Sequence, residues 1–165
     1  MFRVGHLILL SVGTQLPFDR LVRAVDQWSL ATGRSDVVAQ IGPSTYVPRA
    51  LKAFSFLDPD AFRELQAEAT IMISHAGMGS ILTALEYGTP IIIMPRDHLR
   101  GEHRNGHQIA TAERFKAVPG VYVASDEVSL AEHLMGLAEL TGSERLSSHA
   151  PASFTERLRD FIRGS

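Results

Sequence analysis

The stretch from His75 to Arg96, HAGMGSILTALEYGTPIIIMPR, leaves few folds open to this chain. A short apolar run, Thr70 to Ser74, leads into it and reads as a buried strand. The run breaks at His75-Ala76-Gly77-Met78-Gly79-Ser80, a turn of small residues. Ile81, Leu82, Ala84 and Leu85 then recur at helical spacing as far as Gly88, a helix stop. Thr89-Pro90 turns the chain into a second apolar run, Ile91 to Met94. The order is strand, glycine turn, helix, strand. Glycines let a ligand approach the backbone closely. Free N–H groups and the dipole at a helix start suit an anion, most often a phosphate.

The same alternation runs through the rest of the sequence. Leu7 to Val12 reads as a strand, Gly13-Thr14-Gln15 as a tight turn, and Pro17 as a helix opening. Phe18, Leu21, Val22, Val25 and Trp28 mark one helical face. Asp36 to Ile41 and Leu51 to Leu57 are the next strands, and Asp58-Pro59 opens a helix carrying Phe62, Leu65 and Ala69. Beyond the central stretch, Pro95 to Gly101 is a polar loop. Glu102 to Phe115 reads as a helix with Ile109, Ala112 and Phe115 inward, and Val118 to Ala124 as a last strand. Ser125-Asp126 caps a helix bearing Leu130, Leu134, Leu137 and Ala138. Ser153-Phe154-Thr155-Glu156 has capping-box spacing and starts a closing helix over about 153–163. Strands alternating with helices predict an α/β fold, a doubly wound parallel sheet of Rossmann-like type, as one domain over 1–165. Ligands of such sheets bind beyond the carboxyl ends of the strands, so the turns at Gly13, His75 and Pro95 are expected to form one site.

Composition removes several function classes. A net charge of −2 gives no reason to expect nucleic acid. Cysteine is absent, which excludes disulfides and thiolate metal sites. The apolar runs are far shorter than the roughly 20 residues of a membrane span. Arg3 before Leu7-Ile8-Leu9-Leu10 imitates a signal peptide, but no cleavage-like site follows, and the run reads as the first strand of a cytoplasmic protein.

Two polar clusters carry candidate chemistry. Gly77-Met78-Gly79 lacks the third glycine of a dinucleotide fingerprint and follows a late strand, which argues against a nicotinamide site. It either shapes a strand-to-helix turn only or, with His75 and Ser80 beside it, holds a phosphate. His75 itself reads as a satisfied core histidine or, one residue from the turn, as a ligand contact. The second cluster is Arg96, Asp97, His98, Glu102, His103, His107 and Gln108. On a helix, His103 and His107 would share a face. A zinc pair, a solvated face and a sugar-binding face all fit that pattern, since carboxylate, amide and imidazole groups hydrogen-bond hydroxyls.

The central string followed by EHRNGHQIATA, together with the opening SVGTQLPFDRLVRAVD, resembles the C-terminal domain of glycosyltransferase family 28. The resemblance runs from about Leu7 to Ala124. It is strongest to short, stand-alone members of the dolichol-linked N-acetylglucosaminyl transferase and exopolysaccharide types. It implies the donor-binding half of a GT-B enzyme acting on a UDP-sugar, without a cofactor or a metal. Carried over by motif, Gly77, Gly79 and Ser80 hold the diphosphate, with His75 beside it and Gly13 and Thr14 lining the same region. Arg96, Glu102, His103, His107 and Gln108 belong to the side of the donor sugar and its ribose. Many relatives place a ribose-binding glutamate five residues before the glycine of the Gly-x-Pro turn. Here that position is Thr83, and Glu86 lies about 300° further round the helix. The exopolysaccharide-type members share this feature. Half a GT-B enzyme further implies a membrane-anchored partner subunit that brings the general base and a lipid-linked sugar acceptor. The chain would then sit at the cytoplasmic face of the membrane through that partner. A nucleotide-sugar binding or regulatory module without transfer activity is the alternative.

Overall fold

The computed structural model describes residues 6–145 and Asp160. Its centre is β1, Ile8–Ser11, a strand buried along its whole length. It pairs in parallel with β2, Val37–Gln40, on one side and with β4, Ile71–His75, on the other. Outside these lie β3, Lys52–Phe54, next to β2, and β5, Ile91–Met94, followed by β6, Val121–Val123. All five pairings are parallel, and the order is β3-β2-β1-β4-β5-β6.

The inner strands are mostly apolar, Ile8-Leu9-Leu10 and Ile91-Ile92-Ile93 above all, because helices cover both faces of the sheet. On one face, α1 (Asp19–Thr32) and α5 (Glu127–Met135) bury Val22, Val25, Leu130 and Leu134 against Leu10 and Ile92. On the other, α2 (Pro59–Glu68), α3 (Met78–Tyr87) and α4 (His107–Phe115) set Leu65, Ile81, Leu85 and Phe115 against Leu9, Met72 and Ile93. Local chemistry fixes the helix ends. Asp58 accepts from the Asp60 and Ala61 amides ahead of Pro59. Asp126 and Ser129 form a capping box on α5. Gly88 stops α3 at φ 67°, a left-handed conformation that a side chain would oppose.

The structure corrects several boundaries. The strand expected over Leu51 to Leu57 is only Lys52–Phe54. It is a sheet edge, and the Leu57 amide turns to the Gln40 side chain (2.9 Å). The helix expected from Glu102 starts at His107. Before it, the Asp97 side chain closes a 3-10 turn over His98–Arg100, and Gly101 adopts φ 73°. Asn105 then accepts from the His107 amide and opens α4. Ile109 is 40% exposed rather than inward, whereas Ala112 and Phe115 are buried. β6 is shorter than Val118 to Ala124. The helix that follows Asp126 ends at Met135, with Leu137 in a separate 3-10 turn and Ala138 exposed. The closing helix expected over 153–163 lies, except for Asp160, outside the described residues. Among the described residues, no helix is long and apolar enough to cross a membrane.

The order of winding reverses between β1 and β4: β2 and β3 extend the sheet one way, β5 and β6 the other. A crevice opens where the two halves part, at the carboxyl ends of β1 and β4.

Candidate functional site

A cavity of about 260 Å³ occupies that crevice. One wall is the turn after β1, with Gly13, Thr14, Gln15 and Leu16. The floor is His75 at the end of β4, and the far wall holds Arg96, His103 and Gln108 from the segment after β5. The turns expected to meet at one sheet edge do so.

His75 is packed between two glycines. A Cβ on Gly13, itself at φ 78°, would lie 3.2 Å from the His75 ring, and a Cβ on Gly77 would collide with Nε2. Both positions need glycine because the imidazole lies against their backbone. Nδ1 faces Ser74 Oγ at 3.3 Å and the Ser11 carbonyl at 3.5 Å. Burial, the Arg96 cation and His103 push its pKa down to about 4. The ring is therefore neutral at physiological pH. Next to it, α3 begins after Gly77, an N-cap that offers no side-chain hydrogen bond, which leaves the first amides of the helix open to a ligand. Gly79 and Ser80 lie in this first turn, outside the cavity wall, and a Cβ on Gly79 would meet nothing within 4 Å.

Arg96 is 3% exposed, and its guanidinium is engaged by the protein itself. It donates to the carbonyls of Val12, Leu16, Pro17 and Glu102 and lies over the Phe18 ring. Burial lowers its pKa to about 10 against the opposing pull of Glu102, so it stays cationic at neutral pH. Its backbone N–H donates to Gln108 Oε1 (3.0 Å), which orients the buried Gln108 amide. Glu102 does not line the cavity. Its carboxylate takes two hydrogen bonds from Arg20 (2.7 and 2.9 Å) and one from the Asp97 amide (2.8 Å). His107 is exposed and also stands outside the cavity wall. The shared helix face expected of His103 and His107 does not form, because His103 precedes α4. Among the described residues, no three His, Asp or Glu side chains are grouped to hold a metal ion.

Sequence reasoning missed Gln15, Leu16 and Arg20. The first two adjoin Gly13-Thr14 and were within reach of that signal. Arg20 meets Glu102 across 82 residues, which no local pattern announces.

A six-stranded parallel sheet with helices on both faces and a crevice at its switch point defines a Rossmann-like class of α/β domain. The model of the glycosyltransferase family 28 C-terminal domain matches residues 7–163, and the chain belongs to this family. A relative from Mus musculus, the UDP-N-acetylglucosamine transferase subunit ALG13, is 30% identical over 154 residues, which is 87% of this chain and 13% of the relative. The protein of the same name from Eremothecium gossypii is 33% identical over 95 residues, 56% of this chain and 43% of that one. The chain thus spans less than half the length of these curated relatives. In structure, it resembles the NMR solution structure of ALG13, with TM-score 0.62 and 20% identity over 93% of this chain and 94% of that one. CalG4, the calicheamicin glycosyltransferase, aligns at TM-score 0.58 and 22% identity over 98% of this chain and 39% of that one. The UDP-GlcNAc 2-epimerase of Methanocaldococcus jannaschii, in complex with UDP-GlcNAc and UDP, also reaches 0.58, at 11% identity over 96% and 46%. Transferases and an epimerase share the fold, so the fold alone does not choose the chemistry.

Proposed function

We propose that this chain is the UDP-sugar-binding subunit of a two-component inverting glycosyltransferase. The observation that supports this best is the uncapped start of α3 beside neutral His75, the residue that floors the switch-point cavity, in a chain of this family. In this reading the amides of Gly79 and Ser80 receive the diphosphate, with Gly77, whose own amide donates to the His75 carbonyl (2.8 Å), and with His75, Gly13 and Thr14 around it. His103 and Gln108 face the donor sugar and ribose. Arg96 lines the same wall and orients Gln108 through its backbone amide, Glu102 acts from behind it, and His107 is assigned no contact. The name carried by the curated relatives supports UDP-N-acetylglucosamine as the donor.

The reaction joins an acceptor oxygen to the anomeric carbon as the bond from that carbon to UDP breaks. The helix start stabilises the charge on the departing diphosphate. The acceptor proton goes to a general base on a membrane-anchored partner, which also presents a lipid-linked sugar. The product belongs to glycan assembly on a lipid carrier, at the cytoplasmic face of the membrane.

Calorimetry tests the assignment. The chain alone is expected to bind UDP and not NAD. Gly79→Val is expected to keep its melting temperature within a few degrees, because the added side chain projects into open space. It should nevertheless lose UDP binding, because that space is where the diphosphate approaches. A folded variant with normal UDP affinity, or tight NAD binding without a response to UDP, would refute the reading.

A further inference from the structure

The cavity has two walls that come from distant parts of the chain, and they touch through charged side chains. Arg20 stands one residue into α1, directly after the 13–17 turn. Glu102 lies in the segment that carries His103 and Gln108. The Arg20–Glu102 pair is bidentate, and the two side chains are 13% and 14% exposed. The second Glu102 oxygen also holds the Asp97 amide, which fixes the shape of the 97–102 turn. Arg20 reaches further to Glu127 on α5 (3.2 Å).

We infer that Arg20 and Glu102 are positioning residues: they form a brace that sets the gap between the two walls of the donor cavity, and so tune donor-sugar binding without touching the ligand. This rests on the donor-binding reading above. A partly buried, two-point ion pair resists both sliding and rotation. Glu102 has no second task available, since its oxygens face Arg20 and the Asp97 amide rather than the cavity. The brace acts on the His103–Gln108 wall. Its loss should weaken the sugar's contacts more than those of the diphosphate, which belong to α3.

The test compares Arg20→Gln, Glu102→Gln and the double variant. UDP and UDP-N-acetylglucosamine are titrated into each, alongside amide hydrogen exchange over residues 97–106. Each single variant should bind UDP-N-acetylglucosamine about tenfold more weakly, with UDP affinity changed less, as expected when a bidentate charged contact is lost. The double variant should lose clearly less than the two single losses combined, because the Arg20–Glu102 contact is common to both. Exchange over 97–106 should accelerate in all three. If Glu102→Gln loses sugar binding while Arg20→Gln keeps it, Glu102 contacts the ligand directly and the brace is wrong. Unchanged exchange overturns it as well. Wild-type chain that binds neither ligand would sink the donor reading, while the exchange arm still decides the brace. Arg20→Lys keeps the charge but cannot make the two-point contact; it is expected to fall between wild type and Arg20→Gln, and it serves if the glutamine variants fail to fold.

Discussion

His75 binds its proton much less readily in the folded protein than an exposed histidine does. The unfolded chain takes up that proton near pH 6.5, the native chain only near about 4. Above 6.5 the two states bind equally and the histidine costs nothing. As pH falls, only the unfolded chain is protonated, so stability drops until about 4, where the loss is complete. The upper bound on this loss is roughly 3–4 kcal/mol. His75→Gln removes the titration. Its melting temperature is expected to vary less with pH between 6.5 and 4 than that of wild type. Parallel curves for the two proteins across this window would show that another group is responsible.

At the scale of elements, α1 organises more than its share of the sheet. Its Asp26 is fully buried and accepts from Tyr46 Oη (2.6 Å) and from the Arg49 and Ala50 amides. Asp19, the first residue of the same helix, holds Ser44 and Thr45 in the same loop. Burial raises the Asp26 pKa, but the Tyr46, Ala50 and Arg49 hydrogen bonds outweigh it and leave the carboxyl below its ordinary range. Asp26→Ala strands three donors at once and is expected to cost about 2–4 kcal/mol. Urea titration measures it, and a loss under 1 kcal/mol would contradict the assigned role. None of this was legible in the sequence, because an aspartate inside a helix looks like any solvated one. What was legible depended on local physics. The buried strands Ile8–Ser11 and Ile91–Met94 showed as apolar runs, and α2 and α3 as a proline opening and a glycine stop. The start of α4 was misplaced because Glu102, His103 and Arg104 are ordinary helix residues. Contacts with Arg20 and Asp97 hold Glu102 in a turn instead. For the cavity, the glycine turns announced His75 and Gly13. Arg96 lines the cavity, but its bonds to four carbonyls depend on loops that only the fold brings near.

For the whole molecule, one doubly wound sheet offers one side of a cleft. An acceptor and its base would have no fixed position opposite it, and misplacing reacting groups by about an ångström can cost a hundredfold in rate. Purified chain given UDP-N-acetylglucosamine and membranes stripped of partner is expected to transfer little or no sugar. Co-expression with the partner should restore transfer. Full turnover by the chain alone would show that the second component is unnecessary. The strand order has a consequence of another kind. β1 is made first, yet it lies between β2 and β4, and Ile8 finds one of its neighbours only at Ile71. During synthesis the central strand must stay unpaired on that side until residues 71–75 have left the ribosome. Contacts so far apart in sequence make for slow folding. A nascent chain that stops before Ile71 presents a bare apolar edge, the kind of surface that joins other chains. Ribosome stalling in the first seventy residues should therefore yield aggregates rather than a partly folded domain.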